Sequence, residues 1–173
     1  MFEQKVNDEV AERARKVKLL LMDCDGVLTD GRLYYSENGE ALKVFHVRDG
    51  QGLVEWHRNG FRSGIITGRR SQALEFRADE LGIDFLKQAS TDKDADFRNI
   101  LADSGLSPFE VAFIGDDIPD LVLFGKVGLS FAVADAHRKL LASADIVTDS
   151  NGGFGAVREA IDYLLYAKGL ISA

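Results

Sequence analysis

The sequence predicts an α/β fold in which a parallel sheet is flanked by helices, with a β-hairpin inserted after the first strand. Short apolar runs alternate with helix-like segments along the chain, and this alternation is typical of parallel strands joined by crossover helices. An Asn-Gly pair between two β-prone runs indicates the hairpin. A chain of 173 residues that is 46% hydrophobic can bury one sizeable core, so we expect a single domain over residues 1–173.

Six apolar runs have the length of β-strands, and they lie at residues 18–23, 62–66, 83–86, 111–115, 127–133 and 145–147. Helix-like segments follow them, at about residues 49–59, 71–81, 92–104, 118–125, 136–143 and 154–167. Several of these helices end at a glycine, which suits the left-handed residue that commonly follows a helix. The glycines concerned are Gly60, Gly82 and Gly105.

Composition excludes several classes of protein. The first ten residues are acidic and helix-like, unlike the basic and then apolar pattern of a signal peptide. No run approaches 18 consecutive apolar residues, so we expect no membrane span. The net charge of −7, without a basic cluster, argues against nucleic-acid binding. The single cysteine, Cys24, cannot form an internal disulfide, which favours a cytoplasmic location.

The hairpin insertion is predicted over about residues 32–47. Residues 32–36 and 41–47 are β-prone and flank the turn-forming residues 37–40. Both faces of the hairpin carry apolar or aromatic groups, namely Leu33, Tyr34, Tyr35, Val44, Phe45 and Val47. Its own domain can cover one face, so the other predicts a subunit interface. The alternative is a flap that folds flat onto the domain.

The first predicted strand ends in two aspartates. Asp23 and Asp25 are two residues apart, so their side chains share one face of the strand. They would emerge at the carboxyl end of a central parallel strand, where open α/β sheets bind ligands. The alternative for this pattern alone is a simple Asp-Gly turn, and three later signals favour the functional interpretation.

Two of these signals suit phosphate binding. A second apolar strand ends in Thr-Gly-Arg at residues 67–69, where a hydroxyl, a backbone amide and a guanidinium can contact an anion. Farther along, Thr91 is predicted to cap a helix, with Asp94 in the capping-box position. Lys93 would then lie in the first helical turn, which attracts anions. Each signal alone has an ordinary alternative, a turn in the first case and a solvated surface lysine in the second.

The third signal is the run Gly-Asp-Asp-Ile-Pro-Asp at residues 115–120, again directly after an apolar strand. Its proline suits the first turn of a helix, and Asp116 and Asp120 can face the same point because they are four residues apart. With Asp117 and the two aspartates of the first strand, five carboxylates would gather at one sheet edge. A hard cation would relieve their repulsion, and an all-oxygen ligand set favours Mg²⁺.

Together these groups predict phosphoryl transfer. Asp23 would attack phosphorus to form an aspartyl-phosphate, and Asp25 would protonate the leaving alcohol and later activate water. The hydroxyl of Thr67, the amide of Gly68 and the ammonium of Lys93 would surround the transferred group together with the magnesium ion.

In their order and spacing these runs resemble the four motifs of the haloacid dehalogenase superfamily. The motifs are the Asp-Cys-Asp-Gly-Val-Leu-Thr run at residues 23–29, the Thr-Gly-Arg run at residues 67–69, Lys93 and the run at residues 115–120. Too few residues separate the motifs to hold a cap domain. The resemblance therefore implies the Rossmann-like fold of that superfamily, in its capless form.

The resemblance also implies how the metal is held. By similarity, Asp23 and Asp116 bind magnesium through their side chains, and Asp25 binds it through its backbone carbonyl. Asp117 and Asp120 would lie behind these ligands.

Residues 46–50, 133–137 and 152–159 extend the similarity to capless members that act on phosphorylated sugar acids. The implied activity is hydrolysis of 3-deoxy-D-manno-octulosonate 8-phosphate for lipopolysaccharide synthesis. The implied assembly is a homotetramer in which the hairpins form a central barrel and neighbouring subunits close each active site.

By the same similarity, substrate contacts fall on Asp25, His46, Val47, Arg48, Asp49, Gly50, Gly68, Arg69, Arg77 and Lys93. Two positions depart from the family pattern, because Phe154 stands where relatives usually have arginine and Val54 where a polar residue can occur. Two other functions remain open, a phosphatase for a nine-carbon sialic-type sugar acid 9-phosphate and a non-catalytic binding module.

Overall fold

The computed structural model describes residues 8–172. In chain order its elements are α1 Asp8–Lys16, β1 Leu19–Met22, β2 Tyr34–Ser36, β3 Gly39–Leu42, α2 Val47–Arg58, β4 Arg62–Ile66, α3 Gln72–Leu81, β5 Phe85–Lys87, α4 Lys93–Ser104, β6 Val111–Gly115, α5 Leu121–Phe124, β7 Leu129–Ala132, α6 Arg138–Leu141, β8 Ile146–Val147 and α7 Ala156–Ala167. The helix-like start predicted from residue 1 lies outside the described residues up to position 7, and its remainder lies in α1. Among residues 8–172, no helix has the length and apolar character that a bilayer crossing requires.

Six strands form one parallel sheet in the order β5-β4-β1-β6-β7-β8. β1 lies in the middle, with Leu21 opposite Gly64 on one side and Phe113 on the other. The chain fills the β4 side first and then crosses to β6, so the strand order reverses at β1. Ligand sites of open α/β sheets lie at the carboxyl ends of the strands at such a reversal. The predicted parallel α/β fold is confirmed.

Both faces of the sheet are covered, because all residues of β1, β6 and β7 are buried. α7 packs against α1 and α2, and α4 packs against α5. The largest fully buried side chains include Trp56, Phe113 and Phe131. Trp56 donates its indole N–H to the Arg62 carbonyl at 2.7 Å, so its polar atom is also satisfied. The close packing fixes the strand ends, from which the polar side chains project.

The predicted hairpin is present as β2 and β3, but both strands are shorter than predicted, and β3 begins at Gly39, within the predicted turn. The prediction of strand over residues 41–47 is wrong beyond Leu42, because the next four residues have no regular structure and α2 begins at Val47. The helix begins there because the His46 imidazole accepts a hydrogen bond from the Arg48 amide at 3.3 Å.

The hairpin leaves large apolar groups in solvent. Tyr35 is 61% exposed, Leu42 55% and Val44 49%. Phe45 differs from the predicted pattern because it is partly buried against the core of its own chain. The exposed apolar surface of the hairpin therefore includes Leu42 in place of Phe45.

Several predicted helices differ at their boundaries. α2 begins at Val47 instead of residue 49, and α6, Arg138–Leu141, is shorter than the helix predicted over residues 136–143. The segment predicted over about residues 118–125 divides into a 3-10 turn, Ile118–Asp120, and the short α5. The helix predicted from residue 154 begins at Ala156, because Gly155 adopts a left-handed φ of 106° that a right-handed helix does not contain.

Candidate active site

The carboxyl ends of β1, β4 and β6 meet the start of α4 at one edge of the sheet. They enclose an open cavity of about 600 Å³. Its lining includes most of the residues singled out from the motifs. The full lining is Asp23, Asp25, Thr67, Gly68, Arg69, Ser90, Thr91, Asp92, Lys93, Asp116, Asp117, Pro119 and Val122. A carboxylate-rich end and an end rich in anion-binding donors thus share one cavity.

Asp23 lies directly after β1 and is held from two sides. Its Oδ1 accepts a hydrogen bond from the Cys24 amide at 2.7 Å, and its Oδ2 lies 3.1 Å from the Lys93 ammonium. Burial raises the pKa of Asp23 to about 6, although the positive charge of Lys93 acts in the opposite direction. Cys24, which lies between the two aspartates in the sequence, has a fully buried side chain, and burial raises the pKa of this thiol, so it is not a reactive group.

Lys93 is the first residue of α4, and the predicted cap is displaced by one residue. Asp92, and not Thr91, is the N-cap, because its side chain accepts from the Ala95 amide at 3.0 Å. Thr91 precedes the cap and lines the cavity. The Lys93 ammonium is buried beside Asp120 at 2.6 Å. Burial alone would lower its pKa, but the charges of its two carboxylate partners raise it, so Lys93 carries its charge in the cavity.

Asp120 is fully buried and bound from several sides. Its Oδ2 accepts from the amides of Asp116 and Asp117, at 3.0 and 3.3 Å, while its Oδ1 accepts from Lys93. Asp117 caps the 3-10 turn by accepting from the Ile118 amide at 2.8 Å. These two carboxylates therefore shape the loop after β6, and Asp120 also anchors Lys93.

Of the carboxylates in this cavity, Asp116 has the least compensation of its negative charge by hydrogen bonds and positive groups. Its Oδ1 is buried and receives no hydrogen bond from any of residues 8–172. Burial, followed by the charges of Asp23, Asp120 and Asp117, raises its pKa to about 8. Oxygen atoms of Asp23, Asp116 and Asp120 lie within 4.8 Å of one another. A hard divalent cation fits this all-oxygen set and would supply the missing positive charge.

Asp25 points to a different part of the cavity wall, where the hairpin meets β4. The ammonium of Lys43 contacts its Oδ1, and the Arg69 Nε lies 3.5 Å from its Oδ2. Arg69 also lies 3.4 Å from Glu40 of β3. Lys43 and Glu40 belong to none of the sequence motifs. The sequence signal that could have identified Lys43 is a lysine within the apolar run at residues 41–47, because a lysine that is buried is nearly always paired.

The remaining residues predicted to contact substrate lie elsewhere in this chain. His46 caps α2, Asp49 is buried and accepts from the Arg158 amide at 2.8 Å, and Gly50 packs beside the Arg77 guanidinium. A separate and much smaller pocket is lined by His46, Asp49, Gly50 and Arg77. Val47 and Arg48 are exposed. Their role in substrate binding stays a prediction, and one chain does not bring them to the cavity.

The loop after Asp25 is held by close backbone contact. Gly26 has a φ of 87°, and a side chain there would approach the Asp116 carboxylate to 2.1 Å. Gly152 packs onto the other side of the loop, where an added Cβ would lie 1.7 Å from the Gly26 carbonyl oxygen. The next residue but one, Phe154, is 58% exposed, and Val54 is partly buried in α2.

Replacing Gly152 with alanine is expected to reduce the free energy of unfolding by about 2 kcal/mol, because the colliding atom is backbone and cannot rotate away. Thermal and urea unfolding measure this loss. Gly125→Ala is the matched control, because Gly125 has a φ of −81° and open space around the new methyl group. Equal stability of the two variants would contradict the close packing of Gly152 on the Gly26 loop.

The chain is similar to known proteins over most of its length. A family model for haloacid dehalogenase-like hydrolases matches residues 85–161. The 3-deoxy-D-manno-octulosonate 8-phosphate phosphatase KdsC of Yersinia pestis is 47% identical over 163 residues, which cover 94% of this chain and 87% of that protein. The crystal structure of the Y. pestis phosphatase matches with a TM-score of 0.93 at 46% identity, over 95% of this chain and 89% of that one.

A second solved structure, the phosphatase of the same name from Moraxella catarrhalis, was determined with a magnesium ion, a phosphate ion and a KDO molecule. It matches with a TM-score of 0.91 at 36% identity, over 95% of this chain and 94% of that one. At these identities and coverages, the chain belongs to the haloacid dehalogenase superfamily, in the family of 3-deoxy-D-manno-octulosonate 8-phosphate phosphatases.

Proposed function

We propose that this chain is a magnesium-dependent phosphoric monoester hydrolase that converts 3-deoxy-D-manno-octulosonate 8-phosphate to the free sugar acid and phosphate, for lipopolysaccharide synthesis. The observation that carries the proposal is the Asp23 carboxylate on the cavity wall with the Lys93 ammonium 3.1 Å away. A carboxylate can accept a phosphoryl group, and a buried ammonium beside it can hold the phosphoryl oxygens. The names of the similar proteins identify the substrate class.

The metal would be held by Asp23 and Asp116 through their side chains, with the Asp25 backbone carbonyl as a third ligand. Asp120 is already bonded to Lys93 and two amides, which leaves Asp116 Oδ1 as the available buried oxygen. When bound, magnesium neutralises negative charge on the transferred phosphoryl group.

Residues of this chain carry out two chemical steps. In the first, a carboxylate oxygen of Asp23 bonds to phosphorus, the phosphorus–alcohol oxygen bond breaks, and Asp25 gives its proton to the leaving oxygen. In the second, Asp25 takes a proton from water, the water oxygen bonds to phosphorus, and the Asp23–phosphorus bond breaks. The Thr67 hydroxyl, the Gly68 amide and Lys93 donate to the phosphoryl oxygens in both steps.

Substrate choice is the first experiment. Arg69 lies on the cavity wall, and a planar guanidinium suits the carboxylate that a sugar acid carries in addition to its phosphate. We expect kcat/KM for 3-deoxy-D-manno-octulosonate 8-phosphate to exceed that for a nine-carbon sialic-type sugar acid 9-phosphate. The reverse order would favour the nine-carbon function, and hydrolysis of neither ester would favour the binding module.

We also propose the homotetramer, with active sites at subunit interfaces. Tyr35, Leu42 and Val44 present a large apolar surface that a lone hairpin does not keep in water without a partner. Val47 and Arg48 are exposed and lie away from the cavity of their own chain, which is consistent with contact to a neighbour's cavity. Cys24 as a single buried thiol supports the cytoplasmic location, and we propose one domain over residues 1–173.

Changing Leu42 and Val44 together to glutamate is expected to convert the assembly to monomers and to lower kcat/KM by at least about tenfold, because the site loses the neighbour that orients the sugar. Light scattering and a phosphate-release assay measure the two effects. Phe109→Glu is the control, because Phe109 is equally apolar and 71% exposed but lies before β6, at the opposite edge of the sheet from the cavity. A fully active monomer would contradict the shared site.

A further inference from the structure

Lys43 is a buried cation that none of the motifs explains. Its side chain is 4% exposed, and its ammonium contacts Oδ1 of Asp25 and lies 3.5 Å from Glu40. An ammonium withdrawn from water this far requires ionic partners, and both partners are present. Lys43 is not one of the described residues that line the cavity. Its ammonium therefore reaches Asp25 from behind the cavity wall.

The contact belongs to a network at the base of the hairpin. Glu40 of β3 binds Lys43 and also lies 3.4 Å from Arg69. Arg69 in turn approaches Oδ2 of Asp25 at 3.5 Å and donates to the Tyr35 hydroxyl at 3.0 Å. Each oxygen of Asp25 is thus matched to one cation, with Lys43 on the hairpin side and Arg69 on the cavity side.

We propose that Lys43 is a positioning residue for Asp25. Lys43 holds the Asp25 carboxyl group in the orientation in which its Oδ2 faces the leaving oxygen in the first step and the attacking water in the second. The inference rests on the proposed function, because it assigns to Lys43 the orientation of the acid and base used there. Proton transfer in both steps requires one maintained orientation of the same carboxyl group, and misplacement by about 1 Å can cost 10²-fold in rate. Since Lys43 follows β3 directly, the same contact links the hairpin to the catalytic carboxyl.

The competing explanation is that Lys43 merely stabilises the hairpin. The two explanations differ in their dependence on the leaving group. A sugar phosphate needs a proton on its departing alkoxide, whereas p-nitrophenyl phosphate releases a stable anion that needs none. Because kcat/KM reports the step in which the leaving group departs, a positioning role lowers kcat/KM for the sugar phosphate selectively, and a structural role lowers both values alike.

The principal variant is Lys43→Met, which keeps the length of the side chain and removes the charge. We expect kcat/KM for the sugar phosphate to fall by about 10²-fold, the scale of general acid–base catalysis, and kcat/KM for p-nitrophenyl phosphate to fall by less than about fivefold. Lys18→Met is the matched control, because Lys18 also pairs with a carboxylate, Glu110 at 2.7 Å, but precedes β1 at the opposite end of the strand. It is expected to leave both values unchanged.

Equal losses with the two substrates, or no loss, would overturn the positioning role. Should Lys43→Met fail to fold, Lys43→Gln decides the matter, because it also removes the charge at this position while it keeps a polar group beside Asp25, and it is expected to produce the same selective loss. A crystal structure of whichever variant folds supplies a readout independent of activity. We expect the Asp25 carboxyl to be turned from its wild-type orientation, and an unmoved carboxyl would refute the proposal.

Failure of the proposed substrate is distinguishable from failure of this inference. A wild-type protein that prefers another alkyl phosphate would overturn the substrate, and the leaving-group comparison would then be made with that ester. A wild-type protein without phosphatase activity would overturn the proposed function, and with it the role of Asp25 that Lys43 is proposed to support.

Discussion

Asp23→Asn is expected to lower kcat by at least about 10⁴-fold, which is the scale seen when a covalent nucleophile is removed. The neutral amide cannot form the acyl-phosphate bond that the carboxylate forms, although it keeps nearly the same shape. Because burial raises the pKa of Asp23, its charge opposes folding, so the variant is expected to fold. Lys93 keeps Asp120 as a partner at 2.6 Å.

Rapid-quench measurement of covalently bound phosphate tests the step itself. The wild-type protein is expected to accumulate acid-stable labelled phosphate on the chain during turnover, and the variant is expected to accumulate none. Asp103→Asn, on an exposed position of α4, is the matched control and should behave as the wild type. An Asp23→Asn protein that retained a tenth of wild-type turnover would show that Asp23 does not attack phosphorus.

The parallel sheet was predictable because its central strands, β1 and β6, are short, continuous apolar runs. All residues of β1 and β6 are buried, so the sequence has no polar alternation that could disguise them. The same reasoning located Asp23, Thr67 and Asp116, since residues that follow parallel strands must emerge at one edge of the sheet. Motif chemistry at strand ends depends on local sequence and topology alone.

Local capping limited the prediction of boundaries. The end of β3 and the start of α2 depend on whether His46 continues a strand or caps a helix, and both uses suit its neighbours Phe45 and Val47. The helix is favoured because the His46 side chain accepts a hydrogen bond from the Arg48 amide at 3.3 Å. Similarly, Thr91 and Asp92 are both good caps, and the structure selects Asp92.

Long-range pairing could not be predicted from spacing. Lys43 and Asp25 are 18 positions apart and meet because the hairpin folds back over the end of β1. Six residues predicted to contact substrate lie outside the cavity, and their role stays a prediction that the proposed assembly would explain. Patterns within one element therefore predicted the carboxylates that gather in the cavity, while the contact of Lys43 with Asp25 depends on tertiary structure.

Removing divalent metal with a chelator is expected to lower activity by at least about 10³-fold, because the carboxylate cluster otherwise repels the phosphate anion. Added magnesium should restore activity, and calcium should bind but restore little, since its looser coordination misplaces the reacting groups. Magnesium should also raise the melting temperature, because it binds the folded protein. Full activity in excess chelator would exclude a metal role.

The chelated protein should also show a distinctive dependence of stability on pH. The pKa of Asp116 rises from 3.8 to about 8 in the folded chain, and that of Asp23 rises to about 6. The folded protein therefore holds more protons than the unfolded chain between pH 3.8 and about pH 8, and the free energy of unfolding decreases as pH rises through that range. Magnesium should abolish the decrease, because it replaces the protons as the compensating charge.

Asp116→Asn separates this electrostatic effect from general pH denaturation. Without a charge at position 116, the metal-free variant should be more stable than the metal-free wild type near pH 8, and magnesium should no longer raise its melting temperature. Asp103→Asn, exposed on α4, should retain the wild-type response to both pH and magnesium. If magnesium still raised the melting temperature of Asp116→Asn, the cation would bind elsewhere. Asp116 Oδ1 is the buried carboxylate oxygen of this cluster that lacks a hydrogen bond within residues 8–172.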